Sequence, residues 1–349
     1  MVATQRCQAL CCLSKLIAGD RFLSTPHVPA TAAVEPPFME LQVARKSRVA
    51  QDIWCFTLRH PQNEALPPFT AGAHLTVLLP NGVRRNYSLC SDPADAAIYQ
   101  IAVKRDAHGR GGSICMVDDV VQGSILPVSV PRNNFELYPR ASAFLFIAGG
   151  IGITPILSMM RQLRRTGSAP FNLIYCTRDA EATAFERTLE TEFPGLVTLH
   201  HDHGDIEQAY DFWPVFETPG KTHVYCCGPR GLMDAVADMS GHWPSGTIHF
   251  ESFGVDASAW AANEAFSVHL QRSGNTIAVA AEQSILEALR GCGHHVTSSC
   301  ESGTCGSCRT GLVRGDVEHR DMVLRDDEKS TNIMVCVSRA RGGELVLDL

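Results

Sequence analysis

The fold of the last part of the chain is decided by Cys300-Glu301-Ser302-Gly303-Thr304-Cys305-Gly306-Ser307-Cys308. The pattern is C-x4-C-x2-C, and Cys336 follows after a long gap, so three thiols come from one loop. Gly303 and Gly306 let the backbone turn tightly in that loop. The fourth cysteine lies in the apolar run Ile333-Met334-Val335-Cys336-Val337, which predicts a buried strand that holds the thiol rigidly.

This spacing is typical of a plant-type [2Fe–2S] cluster with Cys300, Cys305, Cys308 and Cys336 as its ligands. The alternatives are four ordinary buried thiols or a zinc site. Zinc sites usually pair one C-x2-C with a second C-x2-C or with H-x3-H, so the order of cysteines here fits the cluster better. Such a cluster passes one electron at a time, and the rest of the chain is expected to supply or accept those electrons.

The composition suits two or three globular domains, since the chain has 349 residues and is 45% hydrophobic. A net charge of −7 argues against a nucleic-acid partner. No apolar run approaches the length of a membrane span, so we expect no membrane contact. The 14 cysteines include ten outside the predicted cluster, and these lack a paired spacing. This pattern indicates reduced thiols in the cytoplasm, and we expect a monomer.

Residues 1–37 form an extension with few acids, early cysteines and a tail rich in Pro, Ala and Thr. A mitochondrial presequence is one interpretation, and a disordered extension is the one that we favour. An apolar part interrupted by Lys15 argues against a secretory signal.

Residues 38–140 change to short alternating runs that predict strands at 41–44, 53–58, 74–79 and 98–104. Turn signals separate these runs at Pro67-Pro68 and Pro80-Asn81-Gly82. Many short strands in one segment predict a small antiparallel barrel.

The motif Arg85-Asn86-Tyr87-Ser88 resembles the R-x-Y-S signature of the ferredoxin–NADP reductase superfamily, and Asn86 stands where threonine is common. Alternate residues of a strand face one side, so Arg85 would point to a flavin phosphate and Tyr87 to the ribityl chain and ring. Ser88 would bond near flavin N5, and Asn86 would use its backbone. A solvated strand arginine is the alternative for Arg85.

Two further features support flavin binding. Ala102, Val103 and Lys104 can offer backbone groups to the polar edge of the ring, and Gly111, Gly112 and Ser113 open a short helix at 114–117. Amides at a helix start bind anions, and one terminal phosphate there fits FMN. An ordinary loop is the alternative for the glycine turn alone, but the three features together favour a flavin site.

Residues 141–256 predict a parallel α/β domain for a nicotinamide cofactor. The apolar strand 143–148 leads into Gly149-Gly150-Ile151-Gly152-Ile153-Thr154-Pro155 and then an amphipathic helix, with Thr154 as its N-cap and Pro155 at its first position. Strand, glycine turn and helix form the context of a dinucleotide site, so Gly150 and Gly152 are candidates for binding. Further strands are predicted at 172–176, 196–200 and 223–227, with helices at 184–192 and from Arg230.

Cys227, Gly228 and Pro229 follow the last of these strands, at the edge where such sheets bind ligands. In the superfamily the position of Cys227 lies beside the nicotinamide; the alternative is a small buried side chain, which we assign to Cys226. Arg178 could hold a 2′-phosphate, but the adjacent Asp179 would repel one, which favours NADH.

Two features of this segment, Phe253 and the histidines of 200–203, each have two interpretations. Phe253 could cover the flavin face or simply pack in the core. The histidines of 200–203 resemble a metal site, but adjacent residues rarely share the facing that a metal requires, so we favour a loop.

Residues 257–264 are predicted as a linker and 265–349 as a β-grasp ferredoxin domain, with a hairpin at 266–279 and a helix at 284–290 before the cysteine loop. The charged run 320–329 is interpreted as a solvated turn, with partner docking as the less favoured alternative. The predicted fold class is therefore multidomain α/β and β: an antiparallel flavin barrel, a parallel nicotinamide-binding domain and the ferredoxin domain.

With these three segments in this order, residues 38–349 resemble the phthalate dioxygenase reductase family. The resemblance implies FMN, NADH and a [2Fe–2S] cluster, and a Rieske non-haem iron oxygenase as the electron acceptor. It also implies that Ser88 and Thr154 lie near the flavin, Cys227 near the nicotinamide and the cysteine loop at the flavin's dimethyl edge. Plant-type clusters near roughly −400 mV can reduce Rieske centres, whose range begins near roughly −150 mV. Reductases of vanillate demethylases share the layout, and NADPH use or a redox sensor without turnover are the remaining alternatives.

Overall fold

Three sheets of five to seven strands and a fourth sheet of two strands organise the part of the chain that the structure describes. The structure is a computed structural model, and it describes residues 38–109, 111–253, 263–298 and 301–349. The predicted extension 1–37, most of the predicted linker and Cys300 lie outside these residues. The predicted domain boundaries stay predictions.

The first sheet is antiparallel and has the strand order β4-β3-β6-β1-β2-β5, with β7 paired to β3. A bridge between Leu89 and Ile101 joins the chain after β4 to β5, so the two edges of the sheet meet and close a barrel. Its elements are β1 Phe38–Ala50, β2 Ile53–Arg59, β3 Ala73–Leu78, β4 Arg84–Ser88, β5 Tyr99–Lys104, α1 Gly112–Asp118, β6 Ile125–Ser129 and β7 Arg132–Asn133.

The second sheet is parallel and has the order β10-β9-β8-β11-β12. The chain adds strands on one side of β8 and then crosses to the other side, so the switch point lies between β8 and β11. Its elements are β8 Phe144–Gly149, α2 Ile153–Thr166, β9 Phe171–Thr177, α3 Glu186–Glu192, β10 Val197–His201, α4 Trp213–Phe216, β11 His223–Cys227, α5 Arg230–Ser240 and β12 Ile248–Glu251.

The barrel and the parallel sheet share one apolar core. Ile53, Cys90 and Ala102 of the barrel pack in the same buried cluster as Ile153 and Cys227. Burial of these residues in one apolar cluster holds the barrel and the parallel sheet against each other.

The third sheet has the order β14-β13-β19-β15-β17, in which only the β13–β19 pair is parallel. Its helix α6 begins after Ser284, which forms a capping box with Glu287. The elements are β13 Phe266–Leu270, β14 Thr276–Val279, α6 Ile285–Gly291, β15 Arg309–Arg314, β16 Val317–Glu318, α7 Asp326–Lys329, β17 Asn332–Met334, β18 Arg339–Ala340 and β19 Glu344–Leu347. The predicted fold class is confirmed.

Two local predictions were wrong. Cys336 does not lie in a strand, because β17 ends at Met334 and the chain turns there, with Val337 N and Ser338 N donating to Met334 O. The charged run is exposed at Asp326 and Asp327, but the Asp321 side chain is fully buried. A solvated turn therefore describes only the second half of that run.

Within the described ranges, no helix is both long enough and apolar enough to span a membrane.

Candidate functional site

Strand β4 presents the predicted flavin side chains on one face of the barrel. Arg85 and Tyr87 are half-buried, whereas Arg84 and Asn86, which alternate with them, are exposed. A Cβ at position 112 would lie 2.6 Å from Arg85 Nε, so the arginine rests directly against the start of α1. The sequence-distant motifs at 85–88 and 111–113 are thus brought together, with a guanidinium beside a helix N-terminus.

The environment of Tyr87 fits a bound polar group. Its hydroxyl is buried and has no hydrogen-bond partner within the described residues. Burial raises the pKa of this hydroxyl, so it stays neutral and can donate or accept. A buried hydroxyl left unpaired costs about 1–3 kcal/mol, and a flavin group at this position would remove that cost.

The remaining barrel residues are placed as follows. β5 pairs with β2 along residues 99–104, whereas the ladder on its other edge ends at Ile101, so backbone groups of Ala102, Val103 and Lys104 remain on that edge. Asn86 Oδ1 accepts from Thr76 Oγ1 at 2.8 Å. Ser113 Oγ accepts from the amide of residue 106 at 3.1 Å, which fixes the loop before α1.

At the switch point two loops meet with almost no space between them. A Cβ at Gly152 would lie 2.1 Å from Cys227 O, and one at Gly149 would lie 2.5 Å from Pro229 Cδ. Gly228 also lies close to Gly149, since a Cβ at Gly228 would lie 3.0 Å from Gly149 N. Only glycine allows this approach, which brings the carboxyl ends of β8 and β11 into one crevice.

Thr154 has a role that differs from the predicted one. A 3₁₀ turn at Gly150–Gly152 precedes α2, and the helix begins at Ile153 with Gly152 as its N-cap. The predicted cap at Thr154 was therefore wrong, because the tighter turn starts the helix earlier. Its buried hydroxyl donates to Ile151 O at 3.1 Å.

Ser88 and Cys227 are connected by an acid that sequence reasoning did not single out. Ser88 Oγ donates to Glu251 Oε2 at 3.3 Å, and Glu251 is the ladder partner of Cys227. Burial, then Glu251, then Cys226 raise the pKa of the Cys227 thiol well above its usual value. An acid at the carboxyl end of an edge strand was the signal that could have identified Glu251.

Three other predicted residues have clear placements. Phe253 is 47% exposed, which argues against the alternative of core packing. Arg178 is exposed at the end of β9, and Asp179 Oδ1 accepts from the amide of Ala182 at 2.8 Å. Cys226 is fully buried, as expected of a packing residue.

The histidines at 200–203 have different partners, but the predicted loop is only partly correct, because β10 continues to His201. His200 Nε2 contacts Gln208 O at 2.7 Å, and His201 Nδ1 contacts Thr177 Oγ1 at 2.9 Å. His203 has a φ of 53°, in the left-handed region typical of turns.

The cysteine loop is held by close backbone contacts. Gly303 has a φ of 77°, and a Cβ there would lie 2.8 Å from Val337 Cγ2. Gly306 also has a positive φ of 79°. Cys308 and Cys336 are buried, and Cys305 Sγ lies 2.8 Å from Ser307 Oγ. Two buried thiols, and a half-buried thiol beside a hydroxyl, fit a cluster that needs thiolates and hydrogen bonds to sulfur.

No group of three Cys, His, Asp or Glu side chains in the described ranges meets the geometry for a single metal ion. Two irons divide four thiolates between them, so the ligands of a [2Fe–2S] cluster do not converge on one point. Cys300, the first predicted ligand, lies outside the described residues.

Comparisons with known proteins agree with this geometry. Residues 268–341 match the family model described as a 2Fe-2S iron-sulfur cluster binding domain. The chain is 60% identical over 314 residues to the phthalate 4,5-dioxygenase reductase subunit of Pseudomonas putida, covering 89% of this chain and 97% of that protein. It is 57% identical over 321 residues to phthalate dioxygenase reductase of Burkholderia cepacia, covering 91% and 100%.

The chain belongs to the phthalate dioxygenase reductase family. A solved phthalate dioxygenase reductase, described as a modular structure for electron transfer from pyridine nucleotides to [2Fe–2S], has a TM-score of 0.73 and 58% identity. It covers 89% of this chain, and 98% of that chain is matched. Like its relatives in this family, the chain is an oxidoreductase.

Proposed function

We propose that this chain passes electrons from NADH through FMN to a plant-type [2Fe–2S] cluster and on to a Rieske non-haem iron oxygenase, with phthalate dioxygenase as its partner. One observation carries this proposal. The 3.3 Å contact between Ser88 and Glu251 joins the flavin strand β4 to β12, next to Cys227 at the switch point. A hydride donor held at the crevice would meet an acceptor held at the barrel edge.

The barrel residues hold and orient FMN in this proposal. Arg85 and the amides of Gly111, Gly112 and Ser113 bind its phosphate, because a guanidinium and a helix start both attract anions. Ser88 and Tyr87 contact the ring, and the outer backbone edge of Ala102, Val103 and Lys104 binds its polar side. When bound, FMN would accept an electron pair from NADH and release the electrons one at a time.

The loops of the parallel sheet hold NADH. Gly150 and Gly152 allow close approach of its phosphates, and Cys227, Gly228 and Pro229 line the nicotinamide end. Thr154 closes the crevice on the side of α2. Phe253 covers the flavin face and excludes water until the nicotinamide arrives.

The cluster is held by Cys300, Cys305, Cys308 and Cys336. The cofactor preference for NADH rests on Asp179, whose charge beside Arg178 disfavours a 2′-phosphate. We further propose that the protein is a monomer and that it is cytoplasmic, because cysteines without disulfides are typical of a reducing compartment.

A coupled assay tests the proposal. The purified chain is mixed with NADH, phthalate and the oxygenase component of phthalate dioxygenase, and product is measured against NADH consumed. Cys305→Ser is expected to abolish both product and the rhombic paramagnetic signal, while flavin reduction by NADH continues. Cys292→Ser, at an exposed cysteine, is the matched control and should leave all three unchanged. If product forms only with a vanillate-type oxygenase, the proposed partner is wrong. If product forms only with NADPH, the proposed electron donor is wrong.

A further inference from the structure

The segment at residues 320–322, here called the strap, lies between the parallel sheet and the cysteine loop. On its outer side, Arg230 Nη1 donates to Arg320 O at 2.8 Å. The Met322 side chain packs against the buried cluster that contains Cys226 and Met233. The strap therefore contacts the parallel sheet through one charged hydrogen bond and one apolar side chain.

The inner side of the strap contacts the cysteine loop. Met322 N donates to Gly303 O at 3.0 Å, and Asp321 Cα would lie 3.2 Å from a Cβ at Gly303. Gly303 is two residues before Cys305. The loop that holds the predicted cluster ligands is thus bonded to the strap through its backbone.

Hydrogen bonds of Arg320 and Asp321 fix the backbone of the strap. The buried Asp321 carboxylate accepts from Val323 N at 3.1 Å and Leu324 N at 2.8 Å. Arg320 N donates to Ser338 Oγ at 3.3 Å. Because these hydrogen bonds fix the backbone from Arg320 to Met322, we expect a displacement at Arg320 to reach the cysteine loop through Met322.

Arg230 is oriented before it reaches the strap. Its Nε pairs with Asp234 Oδ1 at 2.7 Å, one helical turn further along α5. Its position is also significant, because it directly follows Pro229 of the predicted nicotinamide loop. The path from that loop to the cysteine loop consists of Arg230, the strap and Gly303.

We propose that the strap sets the distance between the cysteine loop and the crevice, with Arg230 as the positioning residue for electron delivery to the cluster. The electron-transfer part of this inference rests on the proposed function, whereas the structural coupling does not. The Arg230 side chain bonds to Asp234 and to the strap, so its loss should leave flavin reduction by NADH intact and slow only the arrival of electrons at the cluster.

The first test measures amide hydrogen exchange in the full-length holoprotein. Arg230→Gln should increase exchange of peptides covering residues 301–324 by about 3- to 10-fold, because a partly exposed charge-assisted hydrogen bond shifts a local opening equilibrium by about that factor. Arg230→Lys keeps a charged donor and should recover part of the protection. Arg187→Gln, at an exposed arginine of α3, is the matched control and should change nothing in these peptides.

The second test follows the same variants anaerobically after rapid mixing with NADH. Arg230→Gln should reduce flavin within twofold of the wild-type rate and deliver electrons to the cluster about 3- to 10-fold more slowly. Met322→Ala should act in the same direction through lost packing. Unchanged exchange at residues 301–324, or equal slowing of flavin reduction, would overturn the inference. A wild-type cluster that NADH never reduces would overturn the proposed function and leave the exchange test valid.

Discussion

Gly152→Ala tests whether the two loops at the switch point must touch. Position 152 has an ordinary φ of −62°, so alanine fits its backbone and would by itself be favourable by about 0.5–1 kcal/mol. However, the new Cβ would lie 2.1 Å from Cys227 O and 2.9 Å from Gly228 N. Both are backbone atoms that cannot rotate away, so the loops must separate by more than about 1 Å to reach an ordinary contact.

Overpacking of this kind costs about 1–3 kcal/mol, which lowers the melting temperature by roughly 3–10 °C. A displacement of about 1 Å at a reacting centre can cost about 100-fold in rate, so flavin reduction by NADH should slow by one to two orders of magnitude. Circular dichroism and anaerobic stopped-flow absorbance measure the two effects. Gly231→Ala, where nothing lies within 4 Å of the new Cβ, is the control and should be neutral or stabilising. A Gly152→Ala protein with wild-type melting and kinetics would refute the reasoning.

Three further outcomes are expected. Arg178→Ala should change the KM for NADH less than twofold, because the exposed arginine is not needed for a cofactor without a 2′-phosphate; a large loss with NADH would contradict the assigned donor. Gly112→Ala should weaken FMN binding about tenfold in a fluorescence titration, because its Cβ would displace the Arg85 guanidinium from its charge-assisted contact with the phosphate. An unaltered affinity would contradict the assignment of Arg85 to the phosphate site. Burial, and then His223, lower the pKa of His249 to about 4, so the folded state resists its protonation. The free energy of unfolding should therefore fall by on the order of 1–2 kcal/mol as pH drops from about 6.5 towards 4, after discounting for solvent screening. His249→Gln should make the free energy of unfolding, measured by denaturant titration, less dependent on pH between about 7.5 and 5.

Local patterns in the sequence were sufficient to predict the sheets. The continuous apolar run before Gly149 can only be a strand buried on both faces, and the alternation in β4 fixes which side Arg85 and Tyr87 face. The helix after Ser284 was also predictable, because its capping box is encoded within four residues. Each of these features depends on neighbours in the chain.

Features that depend on distant neighbours were not predictable in the same way. Cys336 lies in an apolar run that matches a strand, but contacts with Met334 turn the chain there. Asp321 stands in a charged run that reads as solvated, yet its carboxylate is buried because it caps backbone amides beside the cysteine loop. The sequence alone gives no distance between Ser88 and Glu251, which are 163 positions apart.

The Glu251 carboxylate explains why a cysteine at the switch point can remain inert. A thiolate beside a bound nicotinamide or flavin would be a nucleophile, since the reactive form of cysteine is the anion. Burial raises the pKa of Cys227, and the neighbouring acid raises it further because two negative charges would face each other. Ser88 donates to that acid and stabilises its charge without supplying a proton acceptor to the thiol. Burial and the neighbouring carboxylate therefore keep the sulfur of Cys227 neutral, which disfavours thiolate chemistry at this position.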